Sequence, residues 1–392
     1  MGRMKTLDNW LDYQENLHTK KIDLGLERIQ KVYQKLFPNG VNFKVITVAG
    51  TNGKGSTIAF IDSIYQQVNI KVASFTSPHI IQYNERFIIN GVQASDAQIC
   101  DAFAQIEQTR GMTSLTYFEF STLAALLIFT HQKVAVAILE VGLGGRLDSV
   151  NVVDNDVAVI SSIDIDHADY LGNTRESIGL EKAGIMRPNM PCICGDTNPP
   201  KTIVQYAQEI GALLTFVNAP YLGNIGLQGE HQKRNAALAI EAVNQLHALP
   251  FNQVSAGISN AKLVGRFQVK SKSDKTIVLD VAHNPAAVQA LTDTLQCNQQ
   301  PTIAIFCVLE DKNIEEMIDI ISPSIDEWLL VPLNTGRAIS MQNLIQKFSL
   351  LNKVKVYKDM PSALHQALNA NRVKRIVIFG SFYVVTDALK VL

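Results

Sequence analysis

The stretch that most constrains this chain is "KVITVAGTNGKGST", residues 44–57. An apolar, β-branched run enters a glycine-rich turn and continues into a helical pattern over residues 56–67. Strand, glycine turn and helix in that order make an anion site, because backbone N–H groups and the helix N-terminus converge on one point. The common phosphate loop keeps four residues between its first glycine and the Gly-Lys pair. Here only Thr51 and Asn52 separate Gly50 from Gly53 and Lys54, and Gly55 intervenes before Ser56. The glycines allow close backbone approach. Lys54 reaches β/γ-phosphates, and Ser56 offers a hydroxyl to Mg²⁺. A plain glycine turn would not need Lys, Ser and Thr at these positions.

Strands alternate with helical patterns on both sides of this loop. "KVASFTS", "KVAVAILEVG" and "DVAVISSID" read as buried parallel strands, with helices over residues 94–108 and 118–131. A second alternation runs from "KTIVLDVAHNP" through "TIAIFCVL", "EWLLVPL", "KVKVYKD" and "RIVIFGS". The expectation is α/β architecture: a P-loop domain with a parallel-rich sheet, residues 1–265, and a smaller Rossmann-like domain, residues 266–392. The chain has 392 residues, enough for two cores. Its net charge of −1, with no basic tract, excludes nucleic acid and an anionic membrane surface as expected partners. "MGRMKTLDNW" lacks the apolar core of a signal peptide, and no apolar run is long enough to span a bilayer. Five scattered cysteines suit free thiols in a cytoplasmic protein. Cys192 and Cys194 read as buried strand residues rather than a zinc pair.

Further residues fit phosphate and metal chemistry. Glu140 ends an apolar strand, where P-loop sheets carry an acidic Mg²⁺ ligand. Asp164, Asp166 and His167 follow another strand, and any of them is a second ligand or a plain loop residue. On a helix from Arg175, residues Ile178, Lys182 and Ile185 share one face, which sets a lysine in an apolar stripe. Such a lysine either snorkels to solvent or is buried, with a depressed pKa and a reactive neutral amine. A carbamate there would bind Mg²⁺.

"AGTNGKGST", "TSPHIIQYNERF", "TYFEFSTLAAL", "LEVGLGGRLDSVN", "IDHADYLG", "RESIGLEKAGI", "GRFQ" and "LDVAHNP" together resemble the folylpolyglutamate synthase/dihydrofolate synthase family of Mur ligases. "WLDYQENLHTKKIDLGLERI" is similar to its bacterial bifunctional members. The resemblance implies an ATP-dependent amide ligase joining L-glutamate to dihydropteroate and to reduced folates, with two Mg²⁺ ions, in a monomer. It implies ATP contacts from Asn52, Gly53, Lys54, Gly55, Ser56, Asn235, Arg266, Asp280 and His283. It implies Mg²⁺ ligands at Ser56, Ser77, Glu140, His167 and a carbamylated Lys182. Lys54, Lys182, His167 and Arg266 would carry the chemistry. A pterin pocket would be lined by Ile22, Asp23, Leu24, Thr116, Tyr117, Phe118, Glu119, Leu147, Asp148 and Ser149. Tyr117, Phe118 and Phe120 are aromatic, and at least one of them reads better as helix core.

Three places depart from the family pattern. Residues 218–232 form a short, dissimilar loop, Tyr383 stands where His is expected, and Ser149 where Ala is common. Two rival functions fit the chain less well. A nucleotide-linked peptidoglycan ligase would carry a further N-terminal domain, and only about 43 residues precede the first strand. A P-loop switch would leave Glu140, His167 and Lys182 without a task.

Overall fold

The computed structural model describes residues 6–392, so the first five residues of "MGRMKTLDNW" lie outside it. The chain divides into two compact units. One comprises residues up to Ile225 together with Lys233–Ala261; the other comprises Gly226–Gln232 and Lys262–Leu392.

The first unit begins with α1 (Leu7–Leu17) and α2 (Glu27–Leu36). Next come β1 (Lys44–Ala49), α3 (Lys54–Gln67), β2 (Val72–Phe75), β3 (Phe87–Ile89) and β4 (Val92–Gln93). They are followed by α4 (Asp96–Arg110), α5 (Tyr117–His131), β5 (Val136–Glu140), β6 (Val157–Ile160), α6 (Ala168–Leu171) and α7 (Arg175–Ala183). The unit ends with β7 (Pro191–Cys194), α8 (Lys201–Ile210), β8 (Leu213–Phe216), α9 (Glu230–Asn244, which belongs here from Lys233 onward) and α10 (Phe251–Asn260). Eight strands form one sheet in the order β4-β3-β2-β5-β1-β6-β7-β8. Six of them are parallel, and β3 and β4 add an antiparallel edge. Strands β2, β5 and β6 are buried along their whole length, which is why they read as continuous apolar runs. Helix α5 is buried from Glu119 to Phe129 and shows almost no polar face. Its start is set by a reciprocal cap between Thr116 and Glu119.

The second unit holds β9 (Gln268–Lys272), β10 (Lys275–Leu279), α11 (Pro285–Gln296), β11 (Thr302–Phe306), α12 (Ile314–Ile321) and β12 (Glu327–Leu330). It continues through α13 (Met341–Lys347), β13 (Val354–Val356), α14 (Met360–Asn369), β14 (Arg375–Phe379) and α15 (Phe382–Leu389). Its sheet runs β13-β12-β11-β14-β10-β9, with only β9 antiparallel. Phe306, Trp328, Phe348 and Phe379 pack at its centre.

Sequence patterning missed the β9–β10 hairpin. Its two-residue loop, Ser273 and Asp274, takes φ of +51° and +61°, the primed-turn geometry usually given to Asn-Gly or Asp-Gly. Helix α7 also stops earlier than the apolar spacing suggested. Ile185 is fully buried but follows the helix end at Ala183. Cys192 and Cys194 are buried in β7, and all five cysteines are free. Among the described residues no helix is long and apolar enough to cross a membrane.

Candidate active site

The glycine-rich loop joins β1 to α3. Gly53 takes φ of +88° at the helix N-cap, with no side-chain cap and no acidic residue in the first turn. A helix N-terminus without a side-chain cap suits an anion. Lys54 Nζ donates to Gly50 O at 2.9 Å and Thr51 O at 3.3 Å, which holds the ammonium over the loop. Ser56 is buried at the start of the helix.

The end of β6 braces the loop from the other side. Thr51 N donates to Ser162 O at 2.7 Å, and Asn52 N donates to Ser162 Oγ at 3.1 Å. The Ser161 and Ser162 hydroxyls both donate to Asn52 O. A Cβ on Gly50 would lie 1.9 Å from Ser161 Oγ, so the first glycine is required by this neighbour. Sequence reasoning missed Ser161 and Ser162 as loop supports; the "VISSID" strand end was their only signal. Asn235, on α9, sits beside Gly53: a Cβ there would lie 2.6 Å from Asn235 Oδ1.

Glu140 ends β5, next to β1, and is 6% exposed. Its Oε2 accepts from Ser77 N at 2.9 Å, bringing two of the expected metal ligands together. His167 takes a left-handed conformation, φ +53°, at the start of α6, and its backbone N donates to Asp166 Oδ1. Lys182 is 3% exposed in the last turn of α7. Burial pulls its ammonium down to about 7, with the Lys54 charge adding to the fall and Asp166 and Asp148 opposing it. Lys182 thus feels the charges of Lys54, Asp148 and Asp166. Among the described residues, no three His, Cys, Asp or Glu side chains form a ready metal cluster. Hydroxyl and carboxylate oxygens suit Mg²⁺, which keeps waters and takes phosphate oxygens as ligands. The donor set fits that ion.

The residues expected around a pterin come from three chain segments, and these are tied together. Gly25 N donates to Leu147 O at 3.2 Å. Arg28 pairs with Asp23 at 2.6 Å and with Glu119 at 3.3 Å. Thr122 and Ser149 share a hydroxyl hydrogen bond of 2.7 Å. Ile22 is exposed and Leu24 half-buried. Phe118 stacks on Phe75, 5.7 Å between centroids, whereas Phe120 is fully buried against Trp10 and Phe103 and belongs to the core. Asp148 is buried, accepting from Leu143 N and Val150 N. Burial pushes its carboxyl up to about 6, against those amides and Lys54.

Arg86, to which the sequence alone gave no role, lies along this wall. It is 8% exposed and donates from Nε to His79 Nδ1 at 3.0 Å. Its guanidinium faces the rings of Tyr83 and Tyr117 at 5.4 and 5.5 Å. Burial pulls His79 down to about 4, and the Arg86 charge acts the same way while Glu85 opposes it. The imidazole is therefore neutral and can accept.

In the second unit, Asp280 follows β10. Its oxygens accept from Phe267 N and Ala282 N, and burial raises its pKa against the pull of Arg266. The Arg266 guanidinium lies 5.3 Å from the Phe382 ring, and His283 packs on the same ring. His283 Nδ1 meets Val281 O at 2.8 Å, so Nδ1 carries the proton. Arg266, Asp280 and His283 are thus gathered at one end of this sheet. Tyr383, which follows Phe382 in sequence, is exposed.

Comparison with known proteins agrees with these features. Residues 48–217 match the Mur ligase middle domain, and residues 265–382 match the Mur ligase glutamate ligase domain. The dihydrofolate synthase/folylpolyglutamate synthase of Escherichia coli K12 is 39% identical over 407 residues, covering 98% of this chain and 95% of the relative. E. coli FolC in complex with DHPP and ADP matches with TM-score 0.93 at 37% identity, covering 99% of this chain and 98% of that one. A bifunctional folylpolyglutamate synthase/dihydrofolate synthase with Mn, AMPPNP and L-glutamate bound matches with TM-score 0.90 at 37% identity and the same coverage. This chain belongs to the dihydrofolate synthase/folylpolyglutamate synthase family of Mur ligases, and it is an ATP-dependent ligase.

Proposed function

We propose that this enzyme joins L-glutamate to dihydropteroate, giving dihydrofolate, and to the γ-carboxylate of reduced folates, giving polyglutamates. The observation that carries the reading is the linkage of three segments, around Asp23, Glu119 and Leu147, into one aromatic and ionic wall in the same unit as the phosphate loop. Residues 1–265 act as the ATPase domain with the acceptor site, and residues 266–392 as the second domain. We assign the protein to the cytoplasm, in keeping with its free cysteines, and take it to act as a monomer.

Amide formation from a carboxylate in water is uphill, and hydroxide is a poor leaving group. An acceptor carboxylate oxygen therefore attacks the γ-phosphorus of ATP, releasing ADP and forming an acyl phosphate. Lys54 and the amides of residues 52–56 stabilise the charge on the transferring group. The α-amine of glutamate then attacks the acyl carbon, and the tetrahedral intermediate collapses with loss of phosphate. Ser56, Ser77, Glu140, His167 and a carbamate on Lys182 would hold two Mg²⁺ ions, which supply charge neutralisation at the phosphates. The neutral Lys182 amine is suited to take up CO₂, losing a proton as the N–C bond forms. Asn235, Arg266, Asp280 and His283 contribute ATP contacts. Ile22, Leu24, Tyr117 and Phe118 pack the pterin.

Product mass spectrometry with MgATP and L-glutamate tests this, using dihydropteroate in one reaction and tetrahydrofolate in another. Glutamate added to both acceptors is expected. Addition to tetrahydrofolate alone makes the enzyme a polyglutamate synthase. Addition to neither removes the folate reading.

A further inference from the structure

A guanidinium carries five N–H donors in a rigid fork. Arg86 uses one of them, Nε–H, on His79. Among the described residues no acceptor meets its Nη1 or Nη2, although the residue is 8% exposed. Neither Nη1 nor Nη2 is among the enclosed side-chain atoms that lack a partner, so this end of the fork is open to solvent or to a ligand. The side chain is nonetheless held firmly. His79 fixes one edge, and Tyr83 and Tyr117 lie against the guanidinium. Tyr83 is itself anchored by a 2.7 Å hydrogen bond to Ser121. A pre-oriented, buried fork of this kind matches a carboxylate, which it grips through two parallel hydrogen bonds.

We propose that Arg86 binds the non-reacting α-carboxylate of a glutamate-bearing acceptor and thereby determines specificity for folates over dihydropteroate. This rests on the folate reading above. The reacting carboxylate is a poor candidate for the fork, since bidentate pairing would occupy both its oxygens and lower its nucleophilicity towards phosphorus. Dihydropteroate has one carboxylate, and that one reacts. A reduced folate has two at its glutamyl end, so the γ-carboxylate reacts and the α-carboxylate is left to be held. Tyr117, one of the ring partners of Arg86, belongs to the wall assigned to the pterin.

Steady-state kinetics on the full-length enzyme test this with Arg86→Met, Arg86→Lys and the α-amide of tetrahydrofolate. For Arg86→Met, the KM for tetrahydrofolate should rise about tenfold to hundredfold, while the KM values for dihydropteroate and L-glutamate stay within about threefold. Arg86→Lys should fall between wild type and Arg86→Met. Wild-type enzyme should show a similar loss with the α-amide, and Arg86→Met should no longer distinguish acid from amide. Equal losses with both acceptors would overturn the proposal, as would a loss confined to L-glutamate. If the variants do not fold, the wild type decides alone: equal use of acid and α-amide removes the proposal. Wild-type enzyme that glutamylates neither acceptor instead removes the folate reading.

Discussion

Each unit has a strand-to-helix turn at the heart of its candidate site, and the two turns are built in opposite ways. Between β1 and α3 the helix starts at Gly53 with no side-chain cap. Between β10 and α11 the helix starts at Asn284, whose Oδ1 accepts from Ala287 N at 2.9 Å. Near the first turn two lysines, Lys54 and Lys182, repel each other. Near the second, the buried carboxylate of Asp280 is balanced by Arg266 and by backbone amides. A helix end that must receive a phosphate leaves its own donors open and gathers positive charge. A helix end that supports a sheet satisfies its donors internally.

The largest effect should come from removing the buried cation. Lys182→Met should lower amide formation at least about a thousandfold while ATP still binds. Near-normal turnover would remove the carbamate role. The same change should raise stability in Mg²⁺-free, CO₂-free buffer. The Lys182 ammonium titrates at about 7 when folded against 10.5 when the chain is unfolded, so the unfolded chain binds the proton more tightly. Burial therefore costs nothing above pH 10.5, costs more as pH falls to 7, and is constant below. Thermal melts should show a gain of about 4 kcal/mol near pH 7 that fades towards pH 10.5.

Next is the loop itself. In Gly53→Ala the new Cβ meets Asn235 Oδ1 at 2.6 Å in a backbone of φ +88°. ATP affinity by calorimetry should fall about a hundredfold. Asn284→Ala should instead cost about 1 kcal/mol of stability and leave ATP affinity within about threefold. If both substitutions weakened ATP alike, the contrast between the turns would be lost.

The smallest effect concerns the body of α3. Asp62 Oδ1 is buried without a partner, while Oδ2 accepts from Gln66 at 2.6 Å. Burial pushes this carboxyl up to about 6 from 3.8. Its ionised form is disfavoured in the fold, so the cost is absent below pH 3.8 and complete above about 6. The residue is partly open to solvent, so Asp62→Asn should add only about 0.5–1 kcal/mol at pH 7, measured by denaturant unfolding. That gain should vanish towards pH 4.

The first turn was more legible than its supports. Gly50 to Ser56 are consecutive, so their spacing alone announces a phosphate loop. Ser161 and Ser162 are about a hundred residues further on and reach Asn52 because β6 neighbours β1 in the sheet. Glu140 was readable as a strand end, but its bond to Ser77 was not, since that bond links β5 to the segment after β2. Arg86 is one more charged residue in "QYNERF" until the fold sets Tyr117, thirty-one positions later, against it.

What the sequence determined by itself is local: the strand–loop–helix that opens to phosphate, the apolar runs of a parallel sheet, and a lysine at helical spacing among isoleucines. Periodicity and backbone freedom act over a few residues, so a few residues suffice to read them. Only the tertiary structure decided that Lys182 is buried near Lys54, that Asp148 is enclosed by backbone amides, and that Arg86 is held against two tyrosines. Charge and desolvation depend on what surrounds a group in three dimensions, and sheet order brings those surroundings from distant parts of the chain.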